Sequence, residues 1–516
     1  PADIHVQAPP NLSPGVYQKL IGAGIDDWGG VSPVTPDHVN PEAPWPHLDA
    51  LAARTAEMGK VLVARLPVYP SHVADPDRWL HPKLAARVRQ MSDAEGWARD
   101  DGWAPGLPAE PTPRPVLLDT VDPAIEAAIA KAMQGRRLDE AEIVRLFAAR
   151  DADYRRVTEA ADELRRAVSG DVVRYVVNRN INYTNICYFR CKFCAFSKGK
   201  THEDLRGTPY DLDMQEIVRR SVEAWDRGAT EVCLQGGIHP DYTGQTYVEI
   251  CKAIKAAVPD MHIHAFSPLE VTQGAATLGI PIPEFLARLK EAGLGTLPGT
   301  AAEILDDEIR AIICPDKINT AQWVEAISAA HRLGLPTTST IMYGHVEGPL
   351  NWARHLLVLR DLQEETGGLT EFVPLPFVHM EAPMYLRGLA RKGPTLREAV
   401  LMHAVSRLVL HPLVTNIQTS WVKMGPEGAA MCLNAGANDM GGTLMNESIS
   451  RAAGTQHGQE FPPEAMEKLI HGIGRVPRQR STAYGGVSNE RQVVSFNAAE
   501  LAPVVQTPPK KVLAAE

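Results

Sequence analysis

From residue 172 onward, short apolar or alternating runs give way repeatedly to longer stretches of helical period. Eight strand candidates stand out: VVRYVVN from 172, EVCLQ from 231, HIHAF from 262, LGTLPG from 294, TTSTIMY from 337, LTEFVPL from 369, VTNIQTS from 414 and GANDM from 436. The helix signals between them are local. Asp213 three residues before Glu216 makes a capping box, and Trp323, Ile327 and Ala330 give one apolar stripe. Eight strands alternating with helices predict an α/β fold, a closed (β/α)8 TIM-like barrel. An N-terminal helical extension from Asp122 to Val168 is expected to cap one end of it.

A longer period underlies the first. The frame A-G-x-x-D-x-G-G occurs as AGIDDWGG from Ala23 and as AGANDMGG from Ala435. Each copy follows a strand-like run ending in glutamine, Gln7 or Gln418, and precedes an arginine and a tyrosine, Arg65 with Tyr69 or Arg480 with Tyr484. Shared order over such a span predicts two homologous modules. Residues 1–75 read as a partial barrel, the C-terminal remnant of a first module whose remainder is absent, and 116–490 as a complete module. The first residue is proline, so the natural start is expected elsewhere. Residues 76–115, rich in Pro, Trp and charge, read as a linker, and 491–516 as a disordered tail. Poor order is expected through the first 115 residues.

The loop after the first strand narrows the chemistry. In NICYFRCKFCAF, Cys187, Cys191 and Cys194 form a CxxxCxxC triplet. Three thiolates with no close fourth partner suit an iron-sulfur cluster that keeps one iron open. The same offsets mark one face of a helix, and free cysteine is a common small core residue. However, Arg190 and Lys192 interrupt the thiols and four asparagines precede them, which reads as a loop. A zinc site asks for a nearby fourth Cys or His, and His202 is eight residues on. Cys233, Cys251, Cys314 and Cys432 lie in or beside apolar runs and read as core thiols.

Seven cysteines in 516 residues are not a disulfide framework, so a reducing cytoplasm is expected. A net charge of -10 argues against nucleic-acid or anionic-membrane partners. No apolar run is long enough to predict a membrane span.

Barrel enzymes carry their chemistry on the loops after the strands, and the unusual residues fall there. Gly236 and Gly237 follow strand two, and glycine pairs let a backbone approach a ligand closely. Pro298, Gly299 and Thr300 follow strand four, Met342, Tyr343 and Gly344 end strand five, and PFVHMEAP, SWVKMG and NDMGGT end the last three. Ionisable rim candidates are His239, Glu303, Tyr343, His379, Glu381, Asp439 and Glu447. Asp439 and Glu303 are the catalytic candidates. Asp439 has its counterpart in Asp27, though a shared residue equally suits tying down the barrel's last turn.

The triplet resembles the signature of the radical S-adenosylmethionine (SAM) superfamily. That resemblance implies a [4Fe-4S] cluster on Cys187, Cys191 and Cys194 with SAM as second cofactor. It makes Gly236 and Gly237 the amino-group motif and sets Phe193 against adenine, with Thr340 and Met342 as ribose or adenine contacts. From Val172 to Tyr484, LQGGIHPDYTG, LPGTAAEIL, TSTIMYGHVE, QTSWVKMG and GANDMGGTLMNESISRAAG resemble the tyrosine-handling half of the FO synthase family. QAPPNL with GAGIDDWGGVSPVTPDHVNPEAPWP looks like the end of that family's cyclising half. The resemblance implies 4-hydroxybenzyl transfer from L-tyrosine to 5-amino-6-(D-ribitylamino)uracil, releasing 2-iminoacetate, methionine and 5'-deoxyadenosine. An external one-electron reductant and the missing first module are the implied partners. Two alternatives stand beside it. Menaquinone-pathway radical enzymes acting on futalosine-type substrates share the triplet and the AEIL-like segment, whereas an iron-sulfur electron carrier needs four protein ligands and no second ligand site.

Overall fold

The computed structural model describes residues 4–99, 101–108, 115–197 and 208–504. Its parallel strands are β1 (Val172–Val176), β2 (Asn178–Ile181), β3 (Glu231–Leu234), β4 (His262–Ala265), β5 (Leu294–Thr296), β6 (Thr337–Tyr343), β7 (Leu369–Pro376), β8 (Asp439–Gly442) and β9 (Val476–Gln479). β2 to β5 pair in sequence, and β6 pairs with β7. Single bridges close the ring: Leu297 with Thr337, Phe372 with Ile417, Gln418 with Asp439, and Arg179 with Met445. The run expected from 414 therefore enters the wall through Ile417 and Gln418 alone, and the last strand begins at Asp439 rather than at 436. Strand one is broken at Val177. Its first half lies between β8 and β9, and its second half pairs with β3.

β9 has no counterpart in the hydrophobic pattern, because VPRQ carries no apolar alternation. It pairs with Val172 to Tyr175 of β1, and the chain beyond it reaches the start of β3, where Thr482 Oγ1 donates to Glu231 Oε2 (2.7 Å). A ninth strand is thus wedged into the amino-terminal end of the barrel, the floor.

Around the strands most helices bury one face, while Leu396–Leu410 is buried nearly all round. Trp323, Ile327 and Ala330 are buried in the helix Thr320–Arg332, as their spacing predicts. Only half of the expected capping box forms. Asp213 accepts the Glu216 N–H (2.8 Å), while the Glu216 carboxylate is held by Arg219 and Arg220. The helices Pro123–Met133, Glu140–Phe147 and Asp151–Ser169 do not cap an end. They form an outer layer against the barrel helices Pro349–Thr366 and Leu396–Leu410.

The repeat is three-dimensional. Gln7 bridges Asp27 as Gln418 bridges Asp439. Arg65 Nε donates to Asp27 (2.7 Å) and Arg480 Nε to Asp439 (2.6 Å), each guanidinium lying over the following tyrosine, Tyr69 or Tyr484. Gly29 and Gly441 stand at positive φ, donate to the same aspartate, and leave the place of a Cβ to the glutamine side chain. The first unit nonetheless keeps a thin core, with Trp28 and Leu51 buried but Ile4, Val34 and Val39 exposed.

Two expectations change. The linker is no loose strap, for Trp103 and Ala104 are buried. Arg99 donates to the carbonyls of Gly393 (2.6 Å) and Pro394 (3.0 Å), Gly106 N–H to Lys423 O (2.7 Å), and Gln456 N–H to Gly106 O (2.7 Å). Those acceptors and donors lie on the loops after the last three strands of the barrel, so the strap roofs part of the rim. At the other end of the chain, residues 489–496 form a helix rather than tail. Arg491 donates to the carbonyls of Trp225 (2.6 Å) and Ala229 (2.9 Å), and Ser495 fills the space above Gly228. The rest of the expected tail beyond 504 lies outside the described residues, as does the expected linker stretch 109–114.

Candidate active site

The cysteine loop leaves β2 at Ile181 and is irregular, as its asparagines and basic residues suggest. Its neighbours hold it on three sides. Gly237 N–H donates to Thr184 O (2.8 Å) and Tyr188 N–H to Ile238 O (3.1 Å). Lys192 N–H donates to Ile313 O (2.8 Å) and Arg190 N–H to Asp316 Oδ2 (2.8 Å), while Met384 N–H donates to Lys192 O (2.9 Å). The glycine pair has a packing reason to be glycine. A Cβ on Gly237 would strike the Ile186 carbonyl and crowd Cys187 Cβ, and one on Gly236 would strike the Tyr183 ring. Tyr183 is fixed in turn by a short hydrogen bond to Glu270, whose carboxylate also accepts the Gly236 N–H (3.3 Å).

Cys187, Cys191 and Cys194 form no disulfide and are partly exposed, unlike buried Cys251, Cys314 and Cys432. Burial pushes the Cys187 thiol up and the Cys191 thiol further, with the Lys317 ammonium opposing both. Among the described residues no three His, Cys, Asp or Glu side chains converge on one metal ion. A cluster asks for something else, one thiolate for each of several irons. Three soft, accessible donors on a loop clamped from outside fit that demand.

Beside the loop stands a buried ion pair that the sequence pattern did not single out. Lys317 Nζ is 2.7 Å from Glu303 Oε1 and 5.7 Å from the centre of the Phe193 ring. Burial and the opposing pull of Glu303 act on the same ammonium, and the net effect raises its pKa. Glu303, expected as a catalytic group, is therefore one half of a fixed charge pair. Its carbonyl accepts the Met342 N–H (2.8 Å). Tyr343 packs edge-on against Trp352 of the barrel helix Pro349–Thr366 (6.0 Å), so on β6 the alternate residues Thr338, Thr340 and Met342 face the lumen. The Thr340 hydroxyl donates to Gly299 O (2.8 Å), and Met342 is partly exposed.

Below the rim the lumen is polar, where barrels are usually filled by branched apolar side chains. Asn180, Cys233 and His264 are register partners across β2, β3 and β4, with Thr296 completing the row on β5. Cys233, read as a core thiol, lies here half-buried instead. Burial draws His264 down to about 4, and its Nδ1 is 2.7 Å from Thr296 Oγ1. At the floor, Arg480 binds both oxygens of Asp439 (2.6 and 3.0 Å) and approaches Glu371 (3.2 Å), which also accepts from Tyr484 (2.5 Å). Asp439 begins β8 opposite Arg174, three positions before the strand ends at Gly442, and is wholly buried. Expected among the rim residues, Asp439 stands instead at the floor, paired with Arg480.

The other ionisable candidates scatter. Tyr343 faces outward, Glu381 is exposed, and His239 accepts the Asp241 N–H (3.1 Å). His379 is buried against Tyr385 with Nδ1 unpartnered, and burial draws it down to about 4. Glu447 accepts the Ser450 N–H (2.8 Å) at the next helix. A surface groove at Arg137, Asp306, Arg354 and Asp361 lies on the outer helices, where its charges pair with each other.

Comparison with known proteins agrees with this geometry. Residues 181–356 match the radical SAM superfamily and 366–493 the CofH/MqnC C-terminal region. An FO synthase of Streptomyces avermitilis is 46% identical over 94% of this chain, and the chain spans 61% of that relative's length. The 5-amino-6-(D-ribitylamino)uracil--L-tyrosine 4-hydroxyphenyl transferase of Methanopyrus kandleri is 50% identical over 64% of this chain and 89% of its own. Among solved structures, methylornithine synthase (PylB) superposes with a TM-score of 0.53 at 18% identity, over 68% of this chain and 97% of that one, which speaks for the fold. A clamped three-cysteine loop on a polar-lined barrel, with 50% identity over 332 residues that span 89% of the archaeal transferase, places the chain in the radical SAM superfamily, in the family of the FO synthases and the tyrosine 4-hydroxyphenyl transferases.

Proposed function

We propose that this chain couples L-tyrosine to 5-amino-6-(D-ribitylamino)uracil, as the coupling half of an FO synthase. One observation carries the reading, the 50% identity along 89% of an archaeal transferase named for these two substrates. When bound, a [4Fe-4S] cluster and SAM supply hydrogen-atom abstraction by a 5'-deoxyadenosyl radical.

The chain's own residues then hold and shield. Cys187, Cys191 and Cys194 supply the cluster's thiolates. Gly236 and Gly237 keep the neighbouring backbone close to the loop and bare of side chains, and Phe193, Thr340 and Met342 offer an apolar and a hydroxyl surface for an adenosyl group. Lys317 and Glu303 set a charge pair at the same place. The polar lumen offers hydrogen-bond partners to a ribityl chain and a uracil. The Trp103 strap shields the mouth from water, which radical coupling of two substrates requires. The half-formed unit of residues 4–75, with the same aspartate, arginine and tyrosine, supports a first module that closes the ring in the whole polypeptide. Its substrates, and an external reductant acting in the cytoplasm, belong to the same proposal.

Anaerobic reconstitution of the cluster, followed by reductant, SAM, L-tyrosine and the ribitylaminouracil, tests it, with Cys191→Ala as control. Expected are 5'-deoxyadenosine and a tyrosine-uracil adduct by mass spectrometry, both lost in the variant, with no ring closure. Cofactor cleavage with futalosine-type substrates only, or a loaded cluster with no cleavage at all, overturns it.

A further inference from the structure

We propose that Lys423, with Ser450, receives the α-carboxylate of L-tyrosine at the mouth of the barrel. The proposal rests on the function argued above and assigns one of its substrates a residue. Lys423 lies in the first turn of the helix Trp421–Leu433, on the loop that follows the wall residues Ile417 and Gln418. Its Nζ donates to Ser450 Oγ (2.7 Å), and Ser450 is buried. Two residues away Ser448 donates to Asn182 (2.7 Å), which stands at the end of β2 where the cysteine loop begins. Above, the strap closes over the same residue, Gly106 N–H donating to Lys423 O (2.7 Å). The ammonium thus stands between the cysteine side of the rim and its roof.

Its hydrogen bonding distinguishes it from the buried Arg310, Arg360 and Arg407, each of which donates to two or more carbonyl oxygens, and its electrostatic state from three cations with carboxylate partners. Lys317 pairs with Glu303, Arg480 with Asp439, and Arg397 with Glu95. Lys423 has no carboxylate in ion-pair reach among the described residues. Burial pulls its pKa down, and Glu447 opposes this from beyond contact, its own oxygens taken by the backbone N–H groups of Ser450 and Arg451. An ammonium donates three hydrogen bonds and one is spent on a serine. A partly buried charge so poorly matched is costly unless a ligand completes it. Of the two substrates only tyrosine brings an anion, since the ribitylaminouracil is a neutral polyol and ring. SAM carries the same α-carboxylate, and the test separates the two sources.

Holoenzyme, reconstituted anaerobically and left unreduced, is titrated by calorimetry with L-tyrosine, with tyramine, which lacks only the carboxylate, and with SAM. Lys423→Met keeps the length of the side chain and removes the charge. Expected is tyrosine binding weaker by roughly 10- to 100-fold, with tyramine and SAM affinities unchanged. The ligand-free urea midpoint should be equal to or above that of the wild type, because an uncompensated charge has gone. Lys423→Arg should retain most of the preference for tyrosine over tyramine. Unchanged tyrosine affinity in Lys423→Met overturns the proposal. So does an equal loss for tyramine, which marks a structural role, or a loss for SAM alone, which gives the residue to the cofactor. If wild-type holoenzyme binds no tyrosine, the proposed function itself fails, an outcome distinct from any seen only in the variants.

Discussion

Removing Asp439 separates a structural floor from a catalytic rim. The Asp439 carboxylate is wholly buried and takes three donors: two guanidinium N–H groups of Arg480, at 2.6 and 3.0 Å, and the Gly441 N–H at 2.7 Å. Asp439→Ala leaves Arg480 buried with Glu371 at 3.2 Å as its remaining carboxylate. Breaking one side of such a buried pair costs about 3–5 kcal/mol. For a barrel of this size, whose urea slope is about 3 kcal/mol/M or more, that is a fall of about 1 M in the urea midpoint. The same deletion at Asp27 is a graded comparison. There the pair is more open, with Arg65 at 20% and Asp27 at 9% side-chain exposure, so solvent screening cuts the loss to about 1 kcal/mol. Asp439→Asn, which keeps acceptors for Arg480 and Gly441, should fall between the wild type and the alanine variant. The assay is urea unfolding of the anaerobic holoenzyme followed by circular dichroism, with SAM cleavage and adduct formation measured on the folded fraction. Asp439→Ala with a wild-type midpoint but no adduct would refute the structural reading and restore Asp439 to the chemistry.

Three further outcomes follow from the same geometry. Glu371 is raised to about 7, mainly by burial, with Asp439 adding to the rise and Arg480 opposing it. The folded state therefore keeps a proton that an unfolded glutamate gives up, and stability falls as pH rises from the ordinary carboxylate range through about 7. Glu371→Gln should accordingly gain on the wild type in urea midpoint between about pH 5 and pH 8, and a pH-independent difference contradicts this. Gly237→Ala forces a methyl into the Ile186 carbonyl, a strain of about 1–3 kcal/mol, so iron content after reconstitution should drop while circular dichroism stays native; full iron loading speaks against the clamp. Trp103→Ala vacates a buried site on the roof at a cost of about 3–5 kcal/mol, and the ratio of 5'-deoxyadenosine to adduct should rise, whereas an unchanged ratio removes the strap from the shielding role.

What could be read from the chain alone was whatever sits close together in it. The cysteine triplet occupies eight residues, and its loop character followed from Arg190 and Lys192. The strands of the barrel wall announced themselves by apolar or alternating runs, whereas Thr340 and Met342 came only with the family resemblance. The recurrence of aspartate, arginine and tyrosine was also legible, but not its meaning. Asp439 and Arg480 are 41 residues apart, and only the fold shows that they meet below the lumen. β9 was missed because an exposed VPRQ has no apolar period. The strap looked like a linker because its burial depends on Gly393, Lys423 and Gln456, hundreds of residues away. Lys317 escaped for the same reason, since a lysine after ICPD reads as solvated until Glu303 is set beside it.

The wedge formed by β9, Arg480 and Tyr484 makes the barrel a sack with one opening rather than a tube. Whatever reaches Cys233 must pass the rim twice, inward and outward. Traffic through one neck is sequential, so the molecule seated deepest enters first and its product departs last. The order of arrival is thus built into the architecture of a bonded floor, and inhibition by each product should carry the signature of a queue.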